Sequence, residues 1–147
     1  MVDPREKGAR GETTVRDSLR KLTGLQWERT PGSGALDEKH GLKGDLYVPN
    51  KENTYCVEVK NYEEDHLTSK LLTGKEPTLI KWWEQAVRQA GQVKRKPLLI
   101  FKFNRSKIFV AYDTMPSSEL KTILVLDKFF VSLLEEWVSS ENPTFVR

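Results

Sequence analysis

Apolar residues recur three and four positions apart between residues 5 and 22, where Val15, Leu19 and Leu22 fall on one helical face together with Glu12. Gly24 stops that helix. The period then changes. "LQWERT" (25–30) alternates as a short strand does, and "PGSGALDEKHGLKG" (31–44) is broken into loop by its Pro and Gly residues. "DLYV" and "TYCVEVK" read as two strands joined by "PNKEN", a compact hairpin. The polar stretch 61–77 commits to neither period. From Pro77, the spacing of Ile80, Trp83, Val87 and Ala90 predicts a second helix that Gly91 ends. "PLLIFKF" and "KIFVAY" form a second hairpin around "NRS", "LKTILVL" adds a strand, and Asp127 caps a last helix running through Trp137. Helices alternate with consecutive groups of strands, so the pattern predicts an α/β fold with a central mixed sheet.

The chain has 147 residues and no repeat or linker, which predicts a single domain over 1–147. Hydrophobic residues make up 37% and charged residues 31%, the balance of a globular protein with its own core. One cysteine, Cys56, excludes an intrachain disulfide and a Cys-rich zinc site, and its expected place is the core. Two histidines, His40 and His66, are too few for a His-based metal centre. The first residues carry no apolar run, and no stretch has the length of a membrane span, so a cytoplasmic protein without a membrane partner is expected.

The chemistry gathers on one strand. Side chains two apart on a strand point the same way, so Cys56, Glu58 and Lys60 share one face while Tyr55, Val57 and Val59 share the core face. Pairing across "PNKEN" brings Asp45 beside Glu58 or Lys60. Two carboxylates beside a lysine suit a hard divalent cation such as magnesium, and Glu12 adds a third carboxylate from the buried side of the first helix. Each part also has a plain reading: Glu-x-Lys as a surface pair, Asp45 as a turn residue, Glu12 at the edge of a buried stripe.

The order of these residues resembles the PD-(D/E)XK nuclease superfamily and, within it, the archaeal-type Holliday junction resolvases. The resemblance is carried by Lys7-Gly8 and Glu12, by Arg29, Gly32 and Ser33, by Asp45-Leu46, by Val57-Glu58-Val59-Lys60, and by Asp65-His66-Leu67. The later "KPLLIFKFNRSKIFVAYD" is similar to the second hairpin of those proteins. Gly44 stands before the aspartate in place of the usual residue, and Thr13 follows Glu12 where an arginine is common. The resemblance implies a restriction-endonuclease-like core and a homodimer. It implies magnesium-dependent cleavage of DNA, with manganese as a substitute, at branched four-way junctions. By the same resemblance Asp45, Glu58 and Glu12 serve the metal, Lys60 assists the attacking water, and Arg29 and Ser33 lie near the scissile phosphate.

Formal net charge is only +3, so a DNA partner must be sought in particular residues. Lys7, Arg10, Lys43, Lys70, Arg88 and the run Lys94-Arg95-Lys96 are candidates for phosphate contacts. Trp83 falls on the apolar stripe of the second helix. Trp82 points away from it, toward a dimer contact, a base or simple packing, and Gln85 is a further candidate for holding the site. Two other readings keep the same residues: a nicking, restriction-type or exonucleolytic enzyme, and an inert nuclease core that only binds DNA.

Overall fold

The computed structural model describes residues 4–31, 44–62, 77–103 and 106–147, with the side chains of 4–9, 62 and 77 left aside. Along the chain run α1 (Pro4–Thr23), β1 (Glu28–Arg29), β2 (Leu46–Tyr47), β3 (Tyr55–Tyr62) and α2 (Pro77–Gln92). β4 (Lys96–Phe103), β5 (Phe109–Tyr112), β6 (Leu124–Val125), β7 (Phe130–Leu133) and α3 (Leu134–Glu141) complete it. The described strands form one seven-stranded sheet in the order β1-β2-β3-β4-β5-β7-β6. β3 and β4 are parallel over their whole lengths, from Tyr55 opposite Lys96 to Tyr62 opposite Phe103, and every other pairing is antiparallel. α2 is the crossover between the two parallel strands, and the sheet is mixed because hairpins flank that single βαβ unit.

Strand periodicity divides the core between the two faces. Val57, Val59, Leu98, Ile100 and Val110 point to the side where Val15 and Leu19 of α1 and Leu134 and Trp137 of α3 pack. Leu99, Phe101, Phe103, Ala111 and Val131 point to the other side, under Leu79, Trp82, Trp83 and Ala86 of α2. The expected core face of β3 is therefore the observed one, and Cys56 is buried.

α1 ends as expected. Gly24 takes φ +74°, and its N–H donates to the carbonyl of Arg20 at 2.9 Å. Two expectations need correction. On α2 the buried stripe is Leu79, Trp82, Trp83, Ala86 and Ala90, so Trp82 packs inside against Phe101, whereas Val87 is 43% exposed. Adjacent tryptophans lie 100° apart on a helix, and the wide buried face of a helix laid on a sheet takes in both. Asp127 does not cap a helix. It lies in the turn closed by the Leu126 N–H to Phe129 carbonyl bond, after which Phe130–Leu133 pair with β5 and α3 starts only at Leu134. The aromatic and β-branched residues at 129–131 favour the pleated sheet over a helix.

Candidate active site

Asp45 enters β2 through a glycine that the backbone requires. Gly44 has φ +89°, and a Cβ there would stand 2.7 Å from the Val57 carbonyl oxygen and 3.1 Å from the Cys56 sulfur. With no side chain in the way, the Asp45 N–H donates to the Val57 carbonyl at 2.7 Å, and the Asp45 carbonyl accepts from the Thr30 N–H at 2.9 Å. The carboxylate is oriented as well: its Oδ2 accepts the Val59 N–H at 2.8 Å. Leu46 pairs with Val57, so the hairpin expected from "PNKEN" sets Asp45 beside Glu58. The buried Asn53 closes that hairpin, its side chain bonding both the N–H and the carbonyl of Val48.

Glu58 is buried at the middle of β3 between β2 and β4, and its Oε2 has no hydrogen-bond partner. Burial pushes its carboxyl up to about 8, with the negative charge of Asp45 adding to the rise and the Lys60 ammonium opposing it. Asp45 is also raised, first by burial, against the stabilising Val59 N–H, a hydrogen bond shared with Glu58, and the charges of Lys60 and Arg29. The pair thus shares a proton in the absence of a cation.

Glu12 approaches from α1. Burial and the Asp45 charge raise its carboxyl, and Arg29 on β1 pulls it back through an ion pair of 3.5 Å between Nε and Oε1. The helix comes this close because Gly11 precedes the glutamate: a Cβ there would lie 2.6 Å from the Cβ of Asn61, one residue beyond Lys60. Pattern along the chain assigns no role to Gly11, to the Arg29–Glu12 pair or to the Val59 N–H. A glycine inside a helix directly before a carboxylate is the one visible signal.

The structure thus brings Glu12, Asp45, Glu58 and Lys60 into one electrostatic cluster, with Arg29 at its edge. Among the described residues no three of His, Cys, Asp and Glu form a ready-made cage for a metal ion. Chemically the residues fit one: a buried carboxylate oxygen without a donor and carboxyls raised by one another are what a divalent cation would relieve. Of the remaining candidates, Arg10 is exposed on α1, and Ser33, Lys43 and Lys70 lie outside the described residues, as do Gly32 and Asp65-His66-Leu67; the same holds for the Lys7 side chain. Lys94-Arg95-Lys96 precede or begin β4, where Lys96 pairs with Tyr55 at the opposite end of β3 from Lys60. Gln85 is half-buried on α2, and Arg88 is exposed there. A groove of about 490 Å³ between α1 and the β4–β5 hairpin, with Lys21, Lys102 and Lys107 on its walls, takes in none of the four clustered residues.

A protein-family model described as "Phage putative PDDEXK endonuclease" matches residues 3–137. Protein D14 of Escherichia phage T5 is 45% identical over 148 residues, covering 93% of this chain and 92% of that protein. A solved structure of a Holliday junction resolvase from Archaeoglobus fulgidus superposes with a TM-score of 0.43 at 18% identity, over 89% of this chain and 87% of that one.

Proposed function

The chain belongs to the phage PDDEXK endonuclease family, and from that premise we propose that it hydrolyses DNA phosphodiesters with a divalent cation held by Asp45 and Glu58. The observation that carries this reading is the buried Glu58 carboxylate, short of a hydrogen-bond donor and crowded by Asp45 and Glu12 while Lys60 stands by. Magnesium is the cation that suits an all-oxygen donor set, and manganese can stand in for it. When bound, the ion supplies charge to steady the phosphoryl oxygens and to acidify a water. The protein's own residues do the rest. Asp45 is held at a fixed orientation by the Val59 N–H. Lys60 has an ammonium to orient the attacking water and to offset the negative charge that grows on phosphorus-bound oxygen. Glu12 completes the acidic wall, and Arg29 restrains it. The water oxygen bonds to phosphorus, one P–O ester bond breaks, and the departing alkoxide takes a proton.

The substrate we assign is a branched DNA, the four-way junction. Support comes from the Lys7-Gly8/Glu12 and Arg29/Gly32/Ser33 motifs, which go beyond the superfamily core. Lys7, Arg10, Arg29, Ser33, Lys43 and Lys70 are the residues proposed to contact its backbone. Cutting a two-fold symmetric junction in two strands calls for two copies of a chain with one site. The test is incubation with a four-way junction, a matched duplex and a single strand, each with and without magnesium. Asp45→Asn and Glu58→Gln should each lower cleavage at least about a hundredfold while leaving binding intact. Full cleavage by either variant removes the metal-site assignment. Equal cutting of duplex and junction leaves the chemistry but removes the junction, and binding without cleavage by the unaltered protein leaves the inert DNA-binding reading.

A further inference from the structure

α2 buries one side on the sheet and leaves beside it a groove of about 420 Å³ that the nuclease chemistry does not use. Trp83 and Phe129, stacked at 4.9 Å between ring centroids and 17° between planes, form its floor. Ile80, Val87 and Leu126 form its sides, and Val87 is 43% exposed. The rim carries two acids, Glu84 and Asp127, and two bases, Arg88 and Lys128. A surface built for nucleic acid would be basic, and one built for a strongly charged protein would carry a single sign. An apolar centre with a charge-balanced rim fits a protein surface of like composition.

The arrangement of charges selects among such partners. Glu84 and Arg88 are four apart on α2, so they stand one above the other on the same side of the helix, next to Val87. Both are exposed, and among the described residues neither has an ion-pair partner. A two-fold axis passing between them would lay a second α2 antiparallel to the first. Glu84 would then face the partner's Arg88, and Arg88 the partner's Glu84, each chain supplying one end of both pairs. Few foreign surfaces match this pattern, but the chain's own surface does so by symmetry.

We infer that this groove is where a second copy of the chain docks, with the two α2 helices antiparallel and Val87 of each copy covered by the other. The inference rests on this surface alone and stands whether or not the site cuts junctions. The experiment is light scattering of the DNA-free full chain at micromolar concentration. Twice the chain mass is expected for the unaltered protein, and one chain mass for Val87→Asp at the same concentration, with far-ultraviolet circular dichroism unchanged because Val87 is exposed. Glu84→Arg sets arginine against the partner's Arg88 twice, and Arg88→Glu sets glutamate against the partner's Glu84 twice, so each alone should weaken association about tenfold or more. An equimolar mixture of these two single variants pairs opposite charges at both contacts and should recover the dimer mass, as should Glu84→Arg/Arg88→Glu in one chain. A monomeric unaltered protein, a dimeric Val87→Asp, or no recovery in the mixture overturns the inference.

Discussion

At the scale of single residues, the site is a set of charges held where water cannot fully serve them. Glu58 shows the consequence. Its carboxyl is raised from 4.5 to about 8, so the folded protein holds a proton there that the unfolded chain gives up at lower pH. The group's contribution to stability is complete below about 4.5 and is lost as pH rises through about 8. Asp45 and Glu12 shift in the same direction. The metal-free protein should therefore melt at a lower temperature at about pH 8 than at about pH 5.5, and Glu58→Gln should flatten that slope. Binding of magnesium should release protons and raise the melting temperature most at the alkaline end, as calorimetry in two buffers of different ionisation enthalpy would show. A metal-free melting temperature with the same pH slope in the unaltered protein and in Glu58→Gln contradicts the assignment of the raised carboxyl. Gly44 sets the other constraint at this scale. Gly44→Ala forces a Cβ within 2.7 Å of a backbone oxygen at φ +89°, and neither atom is a flexible tip. A loss of about 1–3 kcal/mol in denaturant unfolding is expected, with weakened metal binding because Asp45 comes directly after it. Unchanged stability would mean that the β2 entry tolerates a different path.

At the scale of elements, what was legible in the sequence is what depends on neighbours along the chain. α1, the β2–β3 hairpin, the β4–β5 hairpin and α2 all follow from local period and turn residues, and the hairpin alone was enough to place Asp45 beside Glu58. The parts that local pattern misplaces depend on contacts across the fold. β7 forms because β5 offers it a partner, although residues 127–137 also carry helix-compatible spacing. The second buried tryptophan of α2 reflects a sheet broad enough to cover both Trp82 and Trp83. Glu12 was visible as an odd carboxylate on a buried face, but Arg29 as its ion-pair partner was not, because α1 and β1 meet only after folding. The same meeting makes Gly11 testable. Glycine to alanine inside a helix ordinarily gains about 0.8–1 kcal/mol. Gly91 lies in the last turn of α2, and a Cβ there would have nothing within 4 Å, so Gly91→Ala should show that gain. Gly11→Ala should go the other way, losing about 1–3 kcal/mol, since its Cβ would meet Asn61 at 2.6 Å and push α1 off β3. Chemical denaturation of the two variants side by side measures the contrast, and equal gains would show that α1 is not seated on β3 as described.

At the scale of the whole molecule, two features lie on separate parts of one sheet. The acidic cluster sits toward β2 and β3, whereas the apolar groove sits where α2 borders the β6–β7 turn, across β4 and β5. A dimer formed at the groove therefore keeps each site clear of the interface, and neither site is completed by the other chain. That separation predicts how a junction is resolved. Each site should cut at its own intrinsic rate, so a mixed dimer of one intact chain and one Asp45→Asn chain should still nick a four-way junction but should not complete the second incision. On a junction carried in supercoiled plasmid, intact protein should give linear product, and the mixed dimer should stop at the nicked circle. The Asp45→Asn chain should retain its fold and dimer mass, because the backbone bonds to Thr30 and Val57 survive and only the carboxylate charge is lost. If the mixed dimer linearises the plasmid as the intact protein does, or makes no nick at all, the two sites are not independent, and the separation of groove from acidic cluster does not govern the reaction.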